Sequence, residues 1–238
     1  MNITTFTKSY ITTHLQYFTT FIKIKYLNKI KMKISILILF FSFLMQNSCK
    51  NIDADDETKM NHSIPMENEL MQSMSKTNET MNNAKMNGDF DYDFANLMIM
   101  HHQMAIDMSR VQIEKGSDQT IKNMANGIVV AQEIEIREMQ QFIKNYKIPK
   151  TNDQTSNSYK IATEMKSMMD KMNTIKMTDN IDKDYVAMML PHHESAVTMA
   201  KQQLQFGTQN SMVDLAKNII VDQTFEIDEF KKWQTNNN

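Results

Sequence analysis

Apolar residues in the C-terminal part of the chain return at threes and fours, the period of a helix with one buried face. Phe94, Met98, Ala105, Ser109 and Ile113 share one such face, and Gly116 follows as a stop. A second stripe begins after Asp118 and runs through Ala125, Ile128, Gln132, Ile136, Met139 and Ile143. Together they predict a helical hairpin, with Asp93 as an N-cap or first-turn carboxylate.

The same pattern then occurs again. Residues 91–142 laid over 182–233 give roughly 16 identities in 52 positions without a gap, the mark of a duplicated unit. DYDFANLMIMHHQMAIDM falls on DKDYVAMMLPHHESAVTM, and Asp93 falls on Asp184. Upstream, Met74, Met81 and Met86 fall on Met165, Met172 and Met177, so short Met-rich helices precede each hairpin. Pro191 lies inside the second copy of the His-bearing helix and predicts a kink there. Neither hairpin can bury its stripe alone, so the two predict an all-α four-helix bundle. The expected units are 70–145 and 161–234, joined by a polar linker over 146–160.

A different pattern opens the chain. Residues 34–45, ISILILFFSFLM, are apolar throughout and follow Lys29, Lys31 and Lys33. This run is too short for a transmembrane helix and suits the core of a signal peptide. It ends at Ser48-Cys49, which resembles the lipobox of bacterial lipoproteins, although Gln46 replaces the usual aliphatic residue. The expected reading is a lipoprotein signal over 32–49, lipidated at Cys49, then a polar tether over 50–69. Residues 1–31 are expected to be a non-native extension, with initiation at Met32. The protein is then anchored to a membrane or periplasmic, in the cell envelope.

Composition sharpens the picture. There are 4 Gly and 3 Pro in 238 residues, against roughly 17 and 12 in an average chain, which argues against barrels, sandwiches and Gly-loop nucleotide folds. The first 49 residues hold 6 Lys and no acid, leaving 20 Lys and Arg against 28 Asp and Glu. An acidic body disfavours nucleic acid as a partner. The single Cys excludes a disulfide framework and thiolate zinc or iron–sulfur sites within one chain.

Methionine, at 24 residues, is the outlier. His101-His102 and His192-His193 occupy matching positions of the repeat. Adjacent helical residues diverge by about 100°, so the two rings of one pair cannot meet at one point. His101 shares a stripe with Met104 and Met108, and His192 with Met188 and Met199. Imidazole with thioethers suits copper(I). This predicts one site in each half, with His101 and His192 at the edge of the inner face. The Met-rich flanks, through Met74, Met81, Met86, Met165, Met172 and Met177, would add weaker capacity. The same residues also read as core filler and hydrogen-bonded core histidines. Because imidazole titrates near pH ~6.5 and thioethers do not, copper(I) affinity is expected to fall partway between about pH 7 and about pH 5.

Gln132 and Gln223 interrupt apolar faces, with Glu135 and Glu226 one turn on. They are expected either to orient ligating histidines or to specify how the helices pair.

At this point the residues resemble a known family. Met98, His101, His102, Ala105, Ile106 and Met108, then Gln132, Glu135, Ile136 and Met139, fit the pattern of the DUF305 family. So do Met189, His192, His193, Ala196, Val197 and Met199, then Gln223, Glu226, Ile227 and Phe230. The resemblance implies a ferritin-like four-helix bundle and a role in copper handling or resistance outside the cytoplasm. It adds Met98, His102, Met189 and His193 to the candidate metal residues. It does not imply a di-iron centre, because Glu135-x-x-Glu138 and Glu226-x-x-Glu229 stand where Glu-x-x-His would be needed.

The leading expectation is a lipid-anchored, non-enzymatic copper-binding protein, with copper(I) favoured and a copper-transfer protein as partner. The alternatives are a carboxylate/His metal-dependent oxidoreductase and a structural module with an adaptable Met surface.

Overall fold

Helix ends in this chain are set by side chains that accept from the first-turn amides. Asp89 accepts from the Tyr92 N–H, Asp118 from Ile121 and Asn180 from Lys183, each at 3.0 Å. These caps open α1 (Phe90–Lys115), α2 (Gln119–Asn145) and α4 (Ile181–Phe206). Helix α3 spans Thr155–Asn173, and α5 spans Asn210–Asn236. The structure is a computed structural model and describes residues 69–72, 74, 75, 79, 80, 84, 86–148, 155–178 and 180–237. The signal over 32–49, Cys49, most of the tether, Met81 and the middle of the 146–160 linker lie outside the described residues.

The described chain is an all-helical bundle of two hairpins, α1–α2 and α4–α5. Every bound of the second hairpin lies 91 residues beyond its counterpart in the first. Helices α1 and α4 pack against each other at the centre, α3 lies on both, and α2 and α5 touch lightly. Helix α4 runs unbroken through Pro191.

Asp93 and Asp184 are first-turn carboxylates, one of the two roles the sequence offered, and not the N-caps. They accept from the loops ahead of them. Asp93 takes the Asn87 and Gly88 amides at 2.8 Å, and Asp184 takes the Thr178 amide and hydroxyl. The entering loop is thereby folded back onto the helix. The caps themselves, Asp89 and Asn180, precede the repeat's clearest identities and so escaped the pattern.

Two reciprocal locks join the hairpins. Asp182, at the start of α4, accepts from the Ser117 amide and hydroxyl, the Asp118 amide and the Gln112 side chain. Asp91, at the start of α1, accepts in the same way from Thr208, Gln209 and Gln203. Each repeat thus caps the turn of the other. Burial alone would raise Asp182, but the bonds from Ser117, Gln112 and Asp118 hold its carboxyl below the usual range. Gly116 and Gly207 serve this lock. Both have extended backbones, and a Cβ at either would stand 2.1 Å from the amide nitrogen of Gln112 or Gln203.

The core is dense in methionine. Met98, Met104, Met108, Met165, Met168, Met172, Met188, Met189 and Met199 are all fully buried. Met74 is buried beside them, and Met86 and Met177 pack against the cluster. The Met-rich flanks that the sequence offered as outlying metal capacity are, where described, part of this packing. Helix α3 lays its apolar stripe on α1 and α4, which removes those sulfurs from solvent.

Candidate metal centre

Where α1 and α4 cross, two histidine rings meet and two more flank them. His101 and His192, at equivalent positions of the repeat, are in contact with ring centroids 3.7 Å apart and ring planes tilted by 43°. The rings within each adjacent pair are farther apart, 6.2 Å for His101–His102 and 5.8 Å for His192–His193. The divergence expected within a pair is therefore present. One ring of each pair turns to the opposite hairpin and the other to its own.

One expectation is corrected here: His101 and His192 are at 0% exposure rather than at the edge of an inner face. The two rings also contact each other across the hairpins. The reason is the layering: α1 and α4 are each packed by a hairpin partner, by α3 and by one another. What is an edge in a two-helix hairpin becomes the centre when three neighbours cover it.

The outward pair of rings is held by carboxylates. His102 Nε2 lies 2.8 Å from a Glu135 oxygen, and His193 Nε2 lies 2.9 Å from a Glu226 oxygen. In a neutral ring, a carboxylate at Nε2 fixes the proton there and leaves Nδ1 with its lone pair. His192 Nε2 donates to the His101 carbonyl at 2.9 Å, which leaves its Nδ1 with a lone pair too. Among the described residues, both nitrogens of His101 and the Nδ1 atoms of His102, His192 and His193 have no partner. Buried polar atoms without partners are uncommon and costly, so this concentration is itself a signal of function.

Of the residues expected to orient the rings, Glu135 and Glu226 do so. Gln132 and Gln223 are 2% exposed but bond no histidine, and their amide atoms are unpartnered among the described residues. Met98, Met104, Met108, Met188, Met189 and Met199, from the same two helices, are fully buried. Ser195, which replaces Met104 in the second copy, points its hydroxyl at the Met199 sulfur, 4.0 Å away.

Sequence reasoning missed two features of the surroundings. One is the lock made by Asp91, Asp182, Gln112 and Gln203, although all four are identical across the repeat. The other is Tyr185, fully buried and bonded to Ser109 at 2.8 Å between α1 and α4. Burial raises its phenol above the ordinary range. Neither Tyr185 nor Ser109 is repeated at the 91-residue offset, so no internal comparison marks them.

Burial, followed by the neighbouring rings, lowers His101 and His192 well below the usual imidazole value. Both are neutral in the fold near neutral pH. The unfolded rings titrate near pH ~6.5, so below that pH the unfolded state binds protons that the fold refuses. Stability is complete above about pH 6.5 and falls below it, by up to about 1.4 kcal/mol per pH unit for each ring. Urea midpoints of the metal-free protein between pH 8 and pH 5 test this. Midpoints that stay level from pH 7 to pH 5 would contradict it.

A family model described as a domain of unknown function, DUF305, matches residues 41–143 and again 144–234. The chain belongs to the DUF305 family. Solved relatives include CopM, known in apo, Ag-bound, Cu(I)-bound and Cu(II)-bound forms. The Ag-bound form is 31% identical and aligns over 61% of this chain and 95% of that one, with a TM-score of 0.47. A putative secreted DUF305 protein from Streptomyces coelicolor is 24% identical over 61% of this chain and 90% of that one, with a TM-score of 0.49. An uncharacterized protein L153 of Acanthamoeba polyphaga mimivirus is 38% identical over 58 residues. That match spans 24% of this chain and 38% of the viral protein.

Proposed function

We propose that this DUF305 protein is a non-enzymatic, exported copper-binding protein that sequesters copper(I) or hands it to a partner in the cell envelope. One observation carries the reading: His101 and His192 touch in a sealed core, and three of their four ring nitrogens lack partners among the described residues. A core histidine kept only for packing would be expected to use its nitrogens. The donors sharing these helices, Met98, Met104, Met108, Met188, Met189 and Met199, are soft and neutral. No three described His, Cys, Asp or Glu residues cluster to hold an ion, so the proposed site would need thioethers beside the two rings. That donor set suits copper(I) better than zinc, iron or manganese.

Glu135 and Glu226 bond His102 and His193, the rings that flank the central pair, and hold neither His101 nor His192. Export, lipidation at Cys49 and membrane anchoring belong to the same proposal and rest on the sequence of residues 32–49. No described helix is long and apolar enough to cross a membrane.

Titration with copper(I), copper(II), zinc and iron(II) tests the reading. Copper(I) should bind most tightly. Changing Met104, Met108, Met188 and Met199 to Leu keeps apolar volume, at an expected cost below about 1.5 kcal/mol per site, while removing sulfur. The quadruple variant should stay folded and lose copper(I) affinity. Parent-like affinity in that variant would make these methionines packing alone. Preference for iron(II), with Glu135 and Glu226 required, would instead favour a carboxylate/His oxidoreductase.

A further inference from the structure

Six polar side chains follow one another across the bundle, through α2, α1, α4 and α5. Glu135 bonds His102, and the rings of His102, His101, His192 and His193 follow at centroid spacings of 6.2, 3.7 and 5.8 Å. His193 bonds Glu226 at the far end. All four rings are sealed from solvent, but the side chains of Glu135 and Glu226 keep 12% and 20% exposure. Both ends of the row thus reach water through an anion.

An ion travelling from water to the His101–His192 pair has to shed its hydration inside an apolar core. That cost is severe unless a ligand is present at each stage. This row supplies one. The carboxylate attracts the ion, and the unpartnered Nδ1 of His102 or His193 offers the next donor. Gln132 and Gln223 stand one turn before the glutamates, with amide oxygens that have no partner among the described residues.

We infer that Glu135–His102 and Glu226–His193 are two equivalent entrances, one in each repeat, that collect a soft monovalent cation and pass it to the central histidine pair. The inference rests on the central pair being a metal site. It assigns the glutamates to the rate of loading rather than to the final grip on the ion. Two entrances in parallel also make a specific kinetic demand: closing one leaves the other working.

Silver(I) transferred from a weak thioether chelator, followed by stopped flow on the full chain, tests this. Glu135→Gln or Glu226→Gln alone should lower the loading rate by no more than about twofold, and the double variant by about tenfold or more, the scale of electrostatic capture in a charged cleft. Equilibrium affinity should stay near that of the parent in all three. A double variant that loads at the parent rate overturns the inference, as does affinity that falls in step with rate. If the double variant does not fold, the single variants decide, because a tenfold loss from either one excludes parallel entrances. A parent that takes up no silver(I) or copper(I) at equilibrium defeats the proposed function itself, which this assay reports separately.

Discussion

Replacing Asp182 with Ala should destabilise the protein by at least about 1–3 kcal/mol, the cost of leaving even one buried donor without its acceptor. The carboxylate accepts from the Ser117 amide and hydroxyl, the Asp118 amide and the Gln112 side chain. Without it, the α1–α2 turn loses its anchor and the Gln112 amide is stranded beside Gly116. Asp91→Ala should do similar damage at the α4–α5 turn, because the contacts are repeated there. Urea unfolding, followed by circular dichroism, measures both. A loss below about 1 kcal/mol, the scale of an exposed helix cap, would show that the locks carry little of the union between hairpins. Acid should act on the same contact. Asp182 is held below its ordinary pKa, so its contribution is complete above the unfolded value near ~3.9 and disappears as pH falls through the lower folded value.

The bundle was legible because its signals are periodic. The stripes from Phe94 to Ile113 and from Ala125 to Ile143 placed α1 and α2, and the 91-residue offset then placed α4 and α5. The chemistry was legible by residue type but not by arrangement. His101, His192 and their methionines were marked as candidates, yet periodicity within one hairpin cannot show that a second hairpin and α3 will cover its edge. The contact of His101 with His192 is a tertiary fact, set by how the two copies cross. The locks at Asp91 and Asp182 were hidden for the same reason, since each carboxylate serves the turn of the other repeat. Glu135 and Glu226 fared better: one helical turn beyond a buried Gln, they sit where an antiparallel neighbour can present a histidine.

His101→Leu should separate stability from function. The parent seals a ring with two unpartnered nitrogens into an apolar core, and an unsatisfied buried polar group costs roughly 1–3 kcal/mol. Leucine fills the space without that cost, although it forfeits the ring contact with His192. The metal-free variant should therefore be as stable as the parent or more so. It should also lose part of the acid sensitivity assigned to the buried rings. Metal affinity should drop by at least about 100-fold, because losing even an outer-shell partner costs up to that much. A variant that is clearly less stable and still binds metal would identify His101 as a packing residue.

The central claim is that both repeats contribute to one buried site. Anaerobic copper(I) titration against a competing chelator, run in parallel on the parent and His101→Leu, tests it most directly. The account predicts one tight equivalent per chain in the parent and none in the variant. Two independent tight equivalents in the parent, with one surviving in the variant, would contradict it.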